Sequence, residues 1–164
     1  MVRRSDIEWH LELNEGIDLA IYLFGVFERS AIHACVKILD RCHQPVVFDI
    51  GANIGAYTLP LAAHVDRKGG MVHAFEPTRW AYKKLSRNLS ANPGIRETVK
   101  ARQVFLTSPV SPQVPIQVES SWPLHNSEGV NSLHGGKAND TDGALSFTLD
   151  EYVKAEGIQK LNLI

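Results

Sequence analysis

The sequence predicts an α/β fold built on a parallel β-sheet, and two observations support this prediction. The run VVFDI at residues 46–50 is short and almost continuously apolar, as is typical of a strand buried on both faces. Further strand-like runs at 71–76 and 99–106 alternate with segments whose apolar residues recur at helical spacing. Strands and helices in this order are typical of a parallel sheet with right-handed crossovers.

The pattern divides the chain into an N-terminal helical region, residues 1–45, and an α/β domain, residues 46–164. Helix is predicted over residues 5–43, which end in the amphipathic stretch ERSAIHACVKILDRC before Pro45.

Two helices connect the predicted strands. Pro60 falls inside the first and is expected to kink it. Thr78 is predicted to cap the second helix, and NPG at 92–94 to end it. Their inner faces carry Ile54, Tyr57, Leu61 and Val65 in the first helix and Ala81, Tyr82, Leu85 and Leu89 in the second.

Residues 107–146 are rich in prolines and lack a regular pattern. Within them VPIQVE is predicted as an edge or hairpin strand, with another strand around GVNSL. TLDEYVKAEG then predicts a short helix with Asp150 as N-cap and Gly157 as its end. LNLI at 161–164 begins another apolar strand.

The composition is that of an ordinary globular domain, with 164 residues, 44% of them apolar, and a net charge of −1. A nucleic-acid partner is not expected, because nucleic-acid binders usually carry a basic surplus. No apolar run is long enough to predict a membrane span. Cys35 and Cys42 form no metal-binding motif, and the histidines are not clustered, so no metal site is predicted and a reducing, cytoplasmic location is expected.

The loop DIGANIG follows the first strand of this sheet and is the predicted ligand site. In parallel sheets, ligands bind beyond the carboxyl ends of the strands, where Asp49 stands. Gly51 permits a tight turn, and Gly55 lets the following helix pack closely on the strand. Asn53 tolerates left-handed dihedral angles or caps the helix. Tyr57, in the first turns of that helix, is as consistent with a core position as with a ligand contact.

A second carboxylate, Glu76, closes the next strand and is expected to stand beside this loop. Its two oxygens can accept hydrogen bonds from both hydroxyls of a ribose. The dinucleotide pattern G-x-G-x-x-G and the phosphate loop are both absent, and the glycine loop contains no cation for a pyrophosphate. An adenosyl ligand without phosphates, such as S-adenosylmethionine, therefore fits best. Glycines after a strand also occur in many turns without ligands, and Glu76 alone could be a solvated strand end.

The stretches VVFDIGANIGAYTLPLA, HAFEPTRWAYKKLSRNLSAN and FTLDEYV together resemble the FkbM family of S-adenosylmethionine-dependent methyltransferases. The resemblance covers about residues 46–164, with a weaker likeness in IYLFGVFE. It implies a Rossmann-like class I methyltransferase sheet, here ending just after its fourth strand begins, so that residues 46–164 form a partial cofactor-binding domain. It also implies methylation of a hydroxyl group on a sugar, glycan or natural product. The cofactor-binding residues carried over are Asp49, Gly51, Asn53, Gly55 and Glu76, with an adenine contact near 106–108.

No catalytic residue is assigned from the sequence. A base for the acceptor hydroxyl could come from His125, Asn131, Ser132 or His134, but the role of an ordinary loop residue is favoured for each of them. The resemblance also implies that the fourth strand lies beside the first. Either the chain is part of a longer protein, or a second copy or a partner covers the exposed edge of the fourth strand. The alternatives are a non-catalytic cofactor-binding or interaction module and, disfavoured by the missing dinucleotide pattern, a nicotinamide-dependent oxidoreductase.

Overall fold

A computed structural model describes the chain at residues 1–111, 113–125, 129–131, 133 and 135–164. Its centre is a parallel sheet of β3 (Val46–Ile50), β4 (Met71–Phe75) and β5 (Val99–Arg102), in that order. The crossovers are α3 (Thr58–Asp66) and α4 (Arg79–Ser90), followed by the short α5 (Pro93–Arg96). The predicted α/β fold with a parallel, Rossmann-like sheet is confirmed.

The C-terminal segment adds a fourth position to this sheet, beside β3. The Phe48 amide donates to the Leu163 carbonyl at 2.9 Å, and the Asn162 amide donates to the Val46 carbonyl at 2.9 Å. Val47 and Leu163 form a parallel bridge. The expectation that the fourth strand begins next to the first strand of the sheet is therefore confirmed.

The strand predicted at 99–106 is divided in two at Gln103. β5 pairs with β4, whereas β6 (Val104–Thr107) pairs in parallel with β9 (Leu145–Thr148). The Gln103 side chain donates to the Asp142 carbonyl at 2.9 Å, and the Gln103 carbonyl accepts from the Leu145 amide at 3.0 Å. These contacts turn the chain from one pairing partner to the other.

The irregular segment contains an antiparallel hairpin of β7 (Gln117–Ser121) and β8 (Lys137–Asp140). The strand predicted in VPIQVE is thus present, but its partner lies beyond GVNSL. α6 (Leu149–Ala155) follows β9, and its N-cap is Thr148, not Asp150, because Thr148 and Glu151 form a reciprocal capping box. Gly157, with φ of 65°, follows its end as predicted.

The N-terminal region departs from the prediction at its start. Residues before Glu12 form a hairpin of β1 (Val2–Arg4) and β2 (Ile7–Trp9), and helix begins only with α1 (Gly16–Phe24) and α2 (Arg29–Leu39). The burial of Ile7 and Trp9, 4% and 1% exposed, favours a strand that packs one face on the core. This core also contains residues of α3 and α4. A domain boundary at residue 45 stays a prediction.

One smaller difference concerns the position of Pro60. Pro60 lies in the first turn of α3, where a missing backbone N–H costs little, so its predicted place in the helix interior is wrong. In the described part of the chain no single helix has the length and apolarity to cross a membrane; α1 and α2 reach them only as a pair bent by 74°.

Candidate functional site

The chain reverses sharply at the carboxyl end of β3. The amides of Gly51 and Ala52 both donate to the Phe75 carbonyl, at 2.9 and 3.0 Å, so the turn is tied to the end of β4. Gly51, Asn53 and Gly55 have φ of 79°, 49° and 93°, the left-handed region that favours glycine and tolerates asparagine. The tight turn predicted for this loop is confirmed.

The two glycines of the loop have different surroundings. A Cβ at Gly55 would lie 2.3 Å from Leu59 Cδ1 and 2.9 Å from Leu85 Cδ1, so both leucine side chains would have to shift to admit it. A Cβ at Gly51 would meet no atom within 4 Å. Gly55 therefore permits helix packing, whereas Gly51 presents bare backbone to open space.

Asp49 places a carboxylate near the carboxyl end of β3, just before this loop. Thr58 Oγ1, at the start of α3, donates to Asp49 Oδ2 at 2.5 Å. Burial raises the pKa of the Asp49 carboxyl, and the Thr58 hydrogen bonds partly oppose that rise. In the described ranges Asp49 forms no salt bridge.

The Glu76 side chain is only 2% exposed and already bonded to the protein, and its contact with a ribose stays a prediction. Its Oε1 accepts from the Thr78 amide at 2.9 Å and from Thr78 Oγ1 at 2.5 Å. Its Oε2 accepts from the Asn53 amide at 2.9 Å. A carboxylate offers about four acceptor positions, so two free oxygens for a ribose are not present here. Burial raises the Glu76 pKa, and the Thr78 and Asn53 hydrogen bonds oppose this.

Asn53 also connects the loop to the β7–β8 hairpin. Its Nδ2 donates to the Ser120 carbonyl at 2.6 Å, while its Oδ1 accepts from the Ile54 amide. The neighbouring Ser121 hydroxyl donates to the buried Glu15 carboxylate at 2.9 Å. The hairpin is therefore docked on both the glycine loop and the start of α1, a contact that no local pattern in the sequence indicates.

A groove with two lobes runs along the carboxyl ends of the central strands, and both lobes include Ile50 and Gly51. We name them the Asp49 lobe, about 340 Å³, and the Phe75 lobe, about 260 Å³. The Phe75 lobe is lined by Ile50, Gly51, Phe75, Pro77, Val104, Phe105 and Leu106. The Asp49 lobe is lined by Cys35, Val47, Phe48, Asp49, Ile50, Gly51, Tyr57, Leu61, Leu163 and Ile164. Leu106, near which an adenine contact was expected, lines the Phe75 lobe, whereas Glu76 lines neither lobe.

Tyr57 lines the Asp49 lobe, and its hydroxyl donates to the Glu28 carboxylate. Burial and this hydrogen bond raise the Tyr57 pKa, so the phenol remains protonated. Glu28 was not predicted as a site residue; the only signal was its place in IYLFGVFE, where the resemblance is weak.

Of the loop residues considered as bases, the two that the structure describes, His125 and Asn131, do not line the groove. His125 is exposed, and Asn131 Nδ2 donates to Glu119 Oε1 at 3.1 Å within the irregular segment 107–146. Ser132 and His134 lie outside the described residues. Across the described ranges no group of three His, Cys, Asp or Glu side chains is arranged to hold a metal ion.

Comparisons with known proteins point to methyltransferases, although no family model matches the chain. The curated protein "Methyltransferase sdnD" of Sordaria araneosa is 33% identical over 103 residues, an alignment covering 59% of this chain and 39% of that protein. This chain thus spans about two fifths of the length of its relative.

Solved structures with a similar fold include two S-adenosylmethionine-dependent enzymes. An O-methyltransferase from Thermotoga maritima is 23% identical, with a TM-score of 0.44, over 54% of this chain and 34% of that one. A methyltransferase from Thiobacillus denitrificans in complex with S-adenosyl-L-homocysteine is 15% identical, with a TM-score of 0.38, over 49% of this chain and 33% of that one. Similarity at this level does not define an activity.

Proposed function

We propose that this chain is the cofactor-binding part of an S-adenosylmethionine-dependent methyltransferase of the FkbM type. The observation that carries the proposal is the two-lobed groove, in which bare backbone at Gly51 separates an apolar lobe from a lobe containing the Asp49 carboxylate. The 33% identity with a curated methyltransferase supports the same reaction class.

The charges of the groove suit a cationic ligand without phosphates. Among the described residues, none that lines either lobe is positively charged, and Asp49 is the one acidic residue lining them. A pyrophosphate would meet repulsion from Asp49 and find no cation, which disfavours a nicotinamide dinucleotide. An ammonium or sulfonium group would instead be attracted.

Each lobe then receives one end of the cofactor. The Phe75 lobe, walled by Phe75, Pro77 and Val104, suits the flat apolar faces of an adenine ring. The Asp49 lobe takes the amino-acid end. When bound, S-adenosylmethionine supplies a methyl group on a positively charged sulfur. The residues of this chain hold and orient it, which is the main requirement of an in-line displacement.

Within this proposal Glu76 acts chiefly by positioning the loop. Its bond to the Asn53 amide fixes the turn in which Gly51 and Gly55 stand. One acceptor position on Oε2 remains, which is enough for a single ribose hydroxyl.

The acceptor we propose is a hydroxyl group on a small molecule or glycan, methylated in the cytoplasm. Since the chain spans 39% of its curated relative, activity of the whole protein is part of the proposal. A second copy or a partner is proposed to cover the edge beside Leu163, with no role for nucleic acid. The alternative is a non-catalytic cofactor-binding module, which is favoured by the lack of a histidine among the described residues that line the groove.

Calorimetric titration with S-adenosylhomocysteine, with NAD as the comparison ligand, tests the proposal. We expect saturable binding of the first and none of the second, and Asp49→Asn should weaken the first by about tenfold. Asp6→Asn, an exposed carboxylate in the turn between β1 and β2, is the matched control and should bind like the parent. Equal affinity for NAD, or no binding by a folded chain, would contradict the proposal.

A further inference from the structure

The side chain of Glu28 does not cap the helix that follows it. Glu28 is the N-cap residue of α2, yet its side chain makes no capping hydrogen bond. Its φ of 46° lies in the left-handed region, which costs a non-glycine residue about 1 kcal/mol. The carboxylate instead accepts a hydrogen bond from the hydroxyl of Tyr57, which lies 29 residues further along the chain. This hydrogen bond ties the Glu28 carboxylate to a residue that lines the Asp49 lobe.

This arrangement brings a second carboxylate to a residue that lines the Asp49 lobe. Tyr57 and Asp49 both line the lobe, and the charges of Glu28 and Asp49 both act on the Tyr57 hydroxyl. Over the residues that the structure describes, neither carboxylate forms a salt bridge, and no cation lines the lobe. A cationic group that contacts both carboxylates is attracted by each of them.

Each carboxylate also keeps acceptor positions for a ligand. The Thr58 hydroxyl donates to Oδ2 of Asp49, and the Tyr57 hydroxyl donates to Oε2 of Glu28. A carboxylate offers about four acceptor positions, so both groups can accept from a further donor. An ammonium group has three donors and no acceptor, so it can bond to two separate carboxylates at once.

We propose that Glu28, oriented by Tyr57, is a further residue of the cofactor site and binds the α-ammonium group of the amino-acid end of S-adenosylmethionine together with Asp49. This assignment rests on the proposed function. Tyr57 acts as a positioning residue through its hydroxyl, and its ring forms part of the wall of the lobe.

Two ligands that differ only at the amino-acid end test the assignment by calorimetric titration. S-adenosylhomocysteine carries the ammonium group, whereas 5′-methylthioadenosine shares the adenosyl thioether and lacks it. Glu28→Gln keeps an acceptor for the Tyr57 hydroxyl and removes the charge. We expect it to weaken S-adenosylhomocysteine by about tenfold and to leave methylthioadenosine within about twofold. Tyr57→Phe, which frees the carboxylate without removing it, should weaken S-adenosylhomocysteine by about threefold.

Glu97→Gln is the matched control, because Glu97 is an exposed carboxylate just before β5, at the opposite edge of the sheet. It should bind both ligands like the parent. If Glu28→Gln binds S-adenosylhomocysteine as tightly as the parent, or loses both ligands equally, Glu28 only fastens α2 to α3 and the assignment is wrong. If the parent binds neither ligand, the proposed function fails, and this assignment with it.

Discussion

At the scale of single residues, Gly51 and Gly55 occupy the same loop and share a positive φ, yet their environments are opposite. Only at Gly55 would a side chain collide with the packed leucines of α3 and α4. Gly51 faces the open groove. The sequence assigned the two glycines to a turn and to helix packing, and the structure confirms both assignments because each follows from local backbone geometry.

Alanine substitution should separate the two glycines. Gly55→Ala combines left-handed strain with a contact of 2.3 Å, and we expect a loss of about 3 kcal/mol or more in the free energy of unfolding. Gly51→Ala carries only the strain, about 1 kcal/mol, but should weaken S-adenosylhomocysteine because its methyl group enters the groove. Urea unfolding and titration measure these effects. Equal losses of stability for the two variants would show that packing at Gly55 is not tight.

The hydrogen-bond partners of Glu76 could not be predicted from the sequence. The sequence placed this carboxylate beside the glycine loop, and the structure places it there. Its partners were not predictable, because the Asn53 amide and Thr78 are brought to it by the turn and by the start of α4. A carboxylate that seemed free for a ligand is instead largely occupied by its own loop.

At the scale of elements, Asn88 of α4 and Asn92, the N-cap residue of α5, bond to the backbone of β2 and of the residue that follows it. Asn92 exchanges hydrogen bonds with the backbone of Glu8, with Oδ1 accepting at 2.9 Å and Nδ2 donating at 2.7 Å. Asn88, fully buried, accepts from the His10 amide at 2.8 Å and donates to the Ile54 carbonyl at 2.9 Å. These bonds satisfy the backbone of a short strand that the helical prediction for the N-terminal region missed.

Removing Asn88 should therefore loosen both the N-terminal hairpin and the glycine loop. Asn88→Ala leaves the His10 amide and the Ile54 carbonyl without partners, and we expect a loss of about 2 kcal/mol in the free energy of unfolding. Lys83→Ala, at an exposed position of the same helix, is the control and should change it by less than about 0.5 kcal/mol. Chemical denaturation compares them. A cost no greater than that of the control would mean that water replaces both bonds.

At the scale of the whole molecule, α6 packs against the sheet through an aromatic cluster of Phe48, His73, Phe75 and Tyr152. His73 is 3% exposed, and its Nδ1 lies 2.7 Å from the Tyr152 hydroxyl. Burial, and then the nearby Lys100, lower the His73 pKa to about 4. The folded protein therefore holds this imidazole neutral at pH values where the unfolded chain protonates it.

This difference in pKa predicts a loss of stability in mild acid. As the pH falls from about 6.5 to about 4, the unfolded state gains a proton at His73 that the folded state does not, so the free energy of unfolding decreases. The full effect is on the order of 3 kcal/mol. Buried Asp49 and Glu76, whose pKa values are raised, act in the opposite direction.

Comparison with His73→Asn isolates the contribution of the histidine. The variant should be less stable than the parent at pH 7.5 because its packing is poorer, and the gap should narrow toward pH 4.5. Urea midpoints across this range measure the gap. A gap that does not change with pH would show that His73 has an ordinary pKa in the folded protein.

The sequence by itself determined the order of strands and helices along the chain, the left-handed turn after β3 and the start of a further strand at residues 161–164. Each of these depends on side-chain periodicity or on backbone preference within a few residues, which a sequence displays directly. Only the tertiary structure decided which distant groups meet: β6 with β9, Asn92 with the backbone of β2, Glu76 with Asn53, and Glu28 with Tyr57. The physical reason is that a hydrogen bond or an ion pair requires atoms within about 3 Å of each other, and packing of the whole chain sets that proximity.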